Sequence, residues 1–367
     1  MSIDLLKRAA QFLKQAGLAS TAIIYHKACG DGIAAAAIVA RTIKKYSGTH
    51  PKKIIAYAYN EDFKKLSKEL SKFKFAIFVD LAIDRNKDEL IALSKSTKVL
   101  IVDHHELTNN LNESSILHVH PKFFYAGNSS RYVGAKLAYD ICAEVADIRE
   151  MCWLAGVGLI HDIGSEDFKE FMNQIYRKFP ELREGKNVYG FESRLGQIVS
   201  VITAASYGPK AETAAVKLCI EANDPMAILE SKYAEARLLM HLKEEINKEI
   251  KHYVNNWKKE ATHDTKLNLA VYEIKSKHNI TGPVSTILSL KNPEVIFVMY
   301  KKINNLVKIS VRSQTKRINC DTLTKRLAMN LTNGIGGGHV PAAGGSFAAK
   351  DLKKFLELMP KIVKELL

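Results

Sequence analysis

KVLIVDHH, Lys98 to His105, is the stretch on which the reading of this chain turns. Val99 to Val102 form an apolar run rich in β-branched side chains, bounded by a lysine and then by one carboxylate and two imidazoles. A short run with no polar face is a strand buried on both sides, and such strands belong in parallel sheets covered by helices on both faces. Polar residues at the carboxyl ends of those strands line the ligand crevice. Oxygen and imidazole donors there suit Mn2+, and more loosely Mg2+ or Zn2+. Alone, the triplet is equally the signature of a hydrogen-bonded turn.

Working outward, similar runs occur at Thr21 to Tyr25, Lys53 to Tyr57, Phe75 to Asp80 and Ile116 to Val119, mostly alternating with segments of helical period. The expected fold is α/β, a mainly parallel sheet with helices on both faces. Three of these ends repeat the theme. Thr21 to Tyr25 delivers His26 and then Asp31, Phe75 to Val79 delivers Asp80, and the apolar stretch Ala155 to Ile160 delivers His161-Asp162. Four acidic or imidazole clusters are thereby expected to converge on one rim.

From Tyr132 to Ala222 the pattern is helical, and a lysine- and glutamate-rich helical stretch follows to Lys259. Strands return at Leu267 to Ile274, Glu294 to Tyr300 and Leu306 to Arg312, followed by a glycine-rich segment from Gly334 to Gly345 and a last helix from Lys350. The expected organisation is a metal-binding domain over residues 1–224, a helical linker over 225–262 and a smaller α/β domain over 263–367.

The chain has 367 residues, a formal charge of +15 and five widely spaced cysteines without CxxC spacing. No apolar run approaches the ~20 residues of a membrane span, and Ile3 to Leu18, interrupted by Asp4, Lys7, Arg8 and Lys14, reads as an amphipathic helix. A cytoplasmic protein with no membrane partner is expected. The positive charge favours a polyanionic partner, as phosphates release counterions to lysine and arginine. Lys301-Lys302, Lys316-Arg317, Lys325-Arg326 and Lys353-Lys354 give the C-terminal part a basic character. Phe123, Phe124 and Tyr125 read either as base-stacking rings or, more simply, as core.

Taken together, Tyr25-His26 through Asp31-Gly32-Ile33-Ala34, Phe78-Val79-Asp80, Val102 to His105 and Gly158 to Asp162 resemble the four motifs of the DHH phosphoesterase superfamily, in order and spacing. Ile309-Ser310-Val311-Arg312-Ser313 and Gly336-Gly337-Gly338-His339 with Ala342-Ala343-Gly344 resemble its DHH-associated substrate-binding domain. The resemblance implies one metal held by Asp31, Asp80, His104 and Asp162, and a second by His26 and a bridging Asp80. It further implies that His105 contacts the scissile phosphate while Asp103 orients an imidazole. Arg312, a planar fork suited to phosphate oxygens, and Gly336, Gly337, Gly338 and His339 would bind substrate. The glycines read either as an anion-binding backbone or as a flexible turn. A similar glycine-histidine segment occurs in alanyl-tRNA synthetases.

One departure stands out: the first motif of this family normally supplies two carboxylates, and here only Asp31 is present. Cys29 occupies the place two residues earlier, while Ala28 and Gly30 offer no ligand. Cys29 is a thiolate ligand favouring softer ions such as Zn2+, or a small packing residue beside a weakly held second Mn2+. The function implied is a metal-dependent phosphodiesterase, a RecJ-like exonuclease on single-stranded DNA or RNA, most like the archaeal RecJ-like proteins. Alternatives are a nanoRNase or cyclic-dinucleotide phosphodiesterase acting on short oligonucleotides, and a weakly catalytic replication factor partnering the GINS complex. An HD-type hydrolase, suggested by His161-Asp162, fits poorly with strand-borne Asp80 and Asp103. A pyrophosphatase would need the full first motif.

Overall fold

The computed structural model describes residues 2–27, 29–59, 61–112, 115–208 and 210–367, so Ala28 of the first motif lies outside the described residues. The chain divides into two compact units, Met1–Lys243 and Glu244–Leu367.

The first unit opens with α1 (Ser2–Gly17), β1 (Thr21–His26), α2 (Gly30–Ser47), β2 (Lys53–Tyr57) and α3 (Phe63–Leu70). Next come β3 (Phe75–Val79), α4 (Lys87–Ser94), β4 (Lys98–Val102) and β5 (Ile116–Val119). The strands make one parallel sheet in the order β2-β1-β3-β4-β5. Each observed strand lies within one residue of its expected bounds.

Alternation explains why these strands are apolar throughout. Ile23, Tyr25, Ile77, Val79, Leu100 and Val102 pack with α1 and α2 on one face. Ala22, Ile24, Ala76, Phe78, Val99 and Ile101 pack on the other against Phe63, Leu66 and Leu70 of α3 and Leu90 and Leu93 of α4. Both faces are therefore covered, as expected for a parallel sheet.

Helix α2 is buried from Gly30 to Ile43, as its apolar sequence on all sides requires. Its outer side is covered by a further layer containing α5 (Gly134–Ala143), α6 (Cys152–His161), α8 (Arg194–Thr203) and α9 (Glu212–Glu221). A further helix, α7 (Lys169–Lys178), packs on α6. Phe123, Phe124 and Tyr125 are partly buried against this core, and the Tyr125 ring lies 5.0 Å from that of Tyr132 and 6.0 Å from that of Phe168. Packing accounts for them.

The strand order reverses direction between β1 and β3, which opens a crevice at their carboxyl ends. Tyr25 pairs with Val79, Val79 with Val102 and Val102 with Val119. The next residue of each strand, His26, Asp80, Asp103 and His120, therefore falls in one row along that edge.

After α10 (Met226–Leu229), α11 (Ala234–Glu260) runs across the boundary between the units. The second unit holds β6 (Thr262–Asp264), β7 (Leu269–Glu273), α12 (Thr281–Lys291), β8 (Ile296–Ile303) and β9 (Leu306–Arg312). It ends with α13 (Cys320–Asn330), β10 (Ile335–His339), β11 (Ala342–Ala348) and α14 (Leu352–Leu366). The sheet order is β10-β11-β9-β8-β7-β6, antiparallel except for β7 beside β8.

The glycine-rich segment is thus the β10–β11 hairpin rather than a loose turn. A Cβ on Gly336 would stand 2.3 Å from the Thr324 carbonyl oxygen, so α13 lies too close for a side chain there. Among the described residues, no helix is long and apolar enough to cross a membrane.

Candidate metal centre

Asp80 leaves β3 with φ 55°, a left-handed conformation that aspartate adopts more readily than most residues. Its carboxylate is fully buried, and neither oxygen has a hydrogen-bond partner. An uncompensated carboxylate in such a place is costly by several kcal/mol, roughly, unless a positive charge faces it.

His104, just after β4, supplies the second piece. Its Nδ1 donates to the Ser130 carbonyl at 3.0 Å, which turns Nε2 toward the centre. Nε2 lies 3.6 Å from Asp31 Oδ2, 3.3 Å from Asp80 Oδ1 and 3.4 Å from Asp162 Oδ2. Ligands bound to one ion at roughly 2.0–2.2 Å stand about 3–3.5 Å apart. The four side chains are spaced as ligands of one cation would be, with donor atoms all within 4.8 Å of one another.

Electrostatics agree with that reading. Burial opposes a charge on His104, yet the carboxylates of Asp162, Asp80 and Asp31 push its pKa up to about 12. Burial and the neighbouring Asp80 and Asp162 carboxylates hold Asp31 well above the usual carboxylate range. The pocket calls for positive charge, and the donor set fits a divalent cation.

Asp31, in the first turn of α2, is held by the N-terminus of α5: Gly134 N–H donates to Oδ2 at 2.6 Å and Ala135 N–H to Oδ1 at 2.7 Å. Such amides favour a carboxylate. Asp162 arrives from the C-terminal end of α6, a helix and not a strand, so the fourth motif reaches the rim by a different element from the other three. Arg131 fastens that end by donating to the Asp162 carbonyl at 3.3 Å and the Ile163 carbonyl at 2.7 Å.

Asp103 stands outside these donor groups and accepts from His105 Nδ1 at 2.7 Å. Burial raises the Asp103 pKa, but the His105 contact outweighs it and leaves a net lowering. Conversely, burial disfavours a charged His105, but Asp103 more than offsets this. His105 is one-third exposed and Nδ1 lies 3.9 Å from Asp80 Oδ1. His120, buried in the same row, bonds through Nε2 to the His105 carbonyl oxygen at 2.7 Å while Nδ1 accepts from Lys122 N–H.

His26 and Cys29 complete the neighbourhood, as their ligand atoms and that of Asp80 all lie within 4.8 Å of one another. The same holds for Cys29, His161 and Asp162. His161 is absent from the ligand set that the motifs imply. The only sequence signal for it is adjacency to Asp162.

In the second unit, register places Arg312 opposite Ala342 and Ala342 opposite His339, so both side chains start from one end of the sheet. Arg312 Nη1 donates to its neighbour's carbonyl, Val311 O, at 2.9 Å. Gly336, Gly337 and Gly338 lie in the edge strand β10, and the Gly338 N–H is taken by Asp321 Oδ1 at 2.9 Å. Several basic residues have internal partners. Lys301 is buried and donates to the His278 carbonyl at 2.7 Å, Lys325 pairs with Asp321, and Arg326 with Glu365.

Comparison with known proteins matches the described architecture. Residues 20–158 match the DHH family N-terminal domain and residues 266–365 match the DHHA1 domain. The chain belongs to the DHH phosphoesterase family. Among solved structures it resembles the Mn2+ complex of RecJ from Thermus thermophilus, with 18% identity, a TM-score of 0.71, and 98% of this chain aligned to 55% of that one. The chain therefore spans about half the length of that relative. Exonuclease RecJ bound to manganese aligns over 98% of this chain and 94% of its own, with 20% identity and a TM-score of 0.74. CDC45 from Entamoeba histolytica aligns over 98% of both chains at 11% identity, with a TM-score of 0.57. At these identities the likeness is one of fold. No curated protein matches the chain in sequence.

Proposed function

We propose that this chain is a metal-dependent phosphodiesterase of the RecJ-like kind, removing nucleotides from single-stranded DNA or RNA. The observation that carries this reading is the meeting of Asp31, Asp80 and Asp162 around His104 Nε2, with an unpartnered carboxylate at its heart. Asp31, Asp80, His104 and Asp162 would hold one divalent ion, of which Mn2+ suits the donors and is the ion in two of the similar structures. His26 and a bridging Asp80 would serve a second. When bound, such a pair supplies an activated water and neutralises charge developing on phosphoryl oxygens.

The remaining roles belong to side chains. His105, tied to Asp103 through Nδ1, keeps its other ring nitrogen for an oxygen of the scissile phosphate and favours the protonated, donating form. Asp103 fixes the orientation of that ring. The α5 N-terminus holds Asp31 in place through two amide hydrogen bonds. Arg312, Gly336, Gly337, Gly338 and His339 would contact the nucleic acid away from the reacting phosphate, and the +15 charge favours a polyanion.

A second reading, a weakly catalytic replication factor with a GINS-type partner, draws on the fold shared with CDC45 and on Cys29 in place of a carboxylate. Retention of the buried, costly Asp31–Asp80–His104–Asp162 cluster weighs against it. End-labelled single-stranded DNA and RNA of graded length, incubated with Mn2+, Mg2+ or chelator, separate the readings. Mn2+-dependent shortening is expected, lost in Asp80→Ala and His104→Ala by at least roughly a thousandfold. Activity surviving in either folded variant would remove the metal assignment. A strict preference for dinucleotides would favour the nanoRNase alternative.

A further inference from the structure

The metal-dependent reading leaves the identity of the second ion open, and the residues around Cys29 narrow it. Cys29 is buried, with 8% of its surface exposed. Its Sγ forms one trio with the ligand atoms of His26 and Asp80 and a second with those of His161 and Asp162, the atoms of each trio lying within 4.8 Å of one another. Asp80 Oδ1 faces His104 Nε2 at 3.3 Å, yet Oδ2 is equally buried and equally unpartnered. His26 Nδ1 is a third buried atom without a partner. One carboxylate thus has an oxygen to spare beyond the first cation position, with an unpartnered imidazole nitrogen and a sulfur beside it.

His161 is aimed by its surroundings. The Thr203 hydroxyl donates to the Val199 carbonyl at 2.7 Å, so its oxygen can only accept from His161 Nδ1, 3.4 Å away. That fixes the tautomer with the lone pair on Nε2, which lies 3.7 Å from Asp162 Oδ1. A neighbour holding one ring nitrogen while the other faces acidic side chains is how ligating histidines are commonly oriented.

An imidazole, a sulfur and one carboxylate oxygen in each trio form a softer set than the carboxylate-rich group around His104. Thiolate ligation selects Zn2+ and related thiophilic ions, whereas Mg2+ and Mn2+ favour oxygen donors. Charge also balances: Asp31, Asp80, Asp162 and a Cys29 thiolate would carry four negative charges, matched by two divalent cations. We infer that Cys29, with His26 and Asp80, forms a thiolate-containing position for a zinc-class cation, with His161 held beside the sulfur, so that the centre takes two different metals. This inference rests on the proposed metal-dependent function but concerns only the second position.

The test uses the full chain, stripped with chelator. Titration with Co2+ should develop a near-ultraviolet thiolate-to-cobalt band, and dialysis against equimolar Mn2+ and Zn2+ should leave one of each per chain. Cys29→Ser should lose the band and hold Zn2+ at least roughly tenfold more weakly while still binding one Mn2+. Cys29→Asp should take up two Mn2+, and His26→Ala should keep the band with weaker Zn2+ retention. Mn2+ binding by the native chain without a thiolate band overturns the inference and leaves the phosphodiesterase reading standing. A band that persists in Cys29→Ser, or Zn2+ retention unchanged by it, also overturns it. A native chain that binds no divalent ion overturns both.

Discussion

A Cβ placed on Gly158 would stand 2.0 Å from Asp31 Oδ1 and 2.7 Å from the Ala135 Cβ, distances that no relaxation of a side-chain tip can absorb. Gly158 therefore keeps open the space in which Asp31 meets the amides of α5. Gly158→Ala is expected to destabilise the first unit by about 1–3 kcal/mol through overpacking and to weaken Mn2+ binding at least roughly tenfold. Calorimetric Mn2+ titration and urea unfolding check this, and unchanged values in both would mean that the contact relaxes freely. At this scale the convergence of His26, Asp31, Asp80, His104 and Asp162 was legible, since each follows an apolar run that points it at one edge. What orients them was not. The Ser130 carbonyl on His104 and the Thr203 hydroxyl on His161 act across 26 and 42 residues, and no local pattern announces such partners.

Strand β5 carries His118, buried and packed beside His120 and Phe123. Burial, then the neighbouring His120, lowers its pKa from 6.5 to about 4. Between those values the unfolded chain takes up a proton that the folded chain refuses, so stability present at neutral pH is lost as pH falls through this window. The loss from this one group approaches about 3 kcal/mol below pH ~4. Urea midpoints measured from pH 7 to 4.5 should fall more steeply for the native chain than for His118→Gln, and parallel slopes would assign the acid sensitivity elsewhere. Elements were read from the sequence with uneven success for a physical reason. Parallel strands covered on both faces are apolar throughout and bounded by polar residues, which marks their ends to within one residue. The β10–β11 hairpin is glycine-rich because α13 lies against it, and that composition reads as a turn until the neighbouring helix is known.

Across the whole molecule, the fold class followed from the alternation of apolar runs and helical periods, and the formal charge of +15 is its second global property. Affinity for single strands should fall as salt rises, with a slope set by the number of phosphates neutralised. Arg312→Ala and His339→Ala should raise KM for long strands more than they lower turnover on a dinucleotide, as remote binding contacts do. Equal loss of turnover at every length would place these residues at the reacting phosphate. The same reasoning bears on the ion itself: adding Mn2+ at a hundredfold excess over its Kd should stabilise the first unit by about 2.7 kcal/mol, read as a rise in Tm that chelator reverses. The unpartnered, left-handed Asp80 carries that point further. A chain that gains stability when an ion joins its buried carboxylates is weakest when starved of that ion, and proteases act on the opened form. Scarcity of the ion would then thin the population of molecules as well as idle them, coupling the amount of this protein in a cell to its mineral supply.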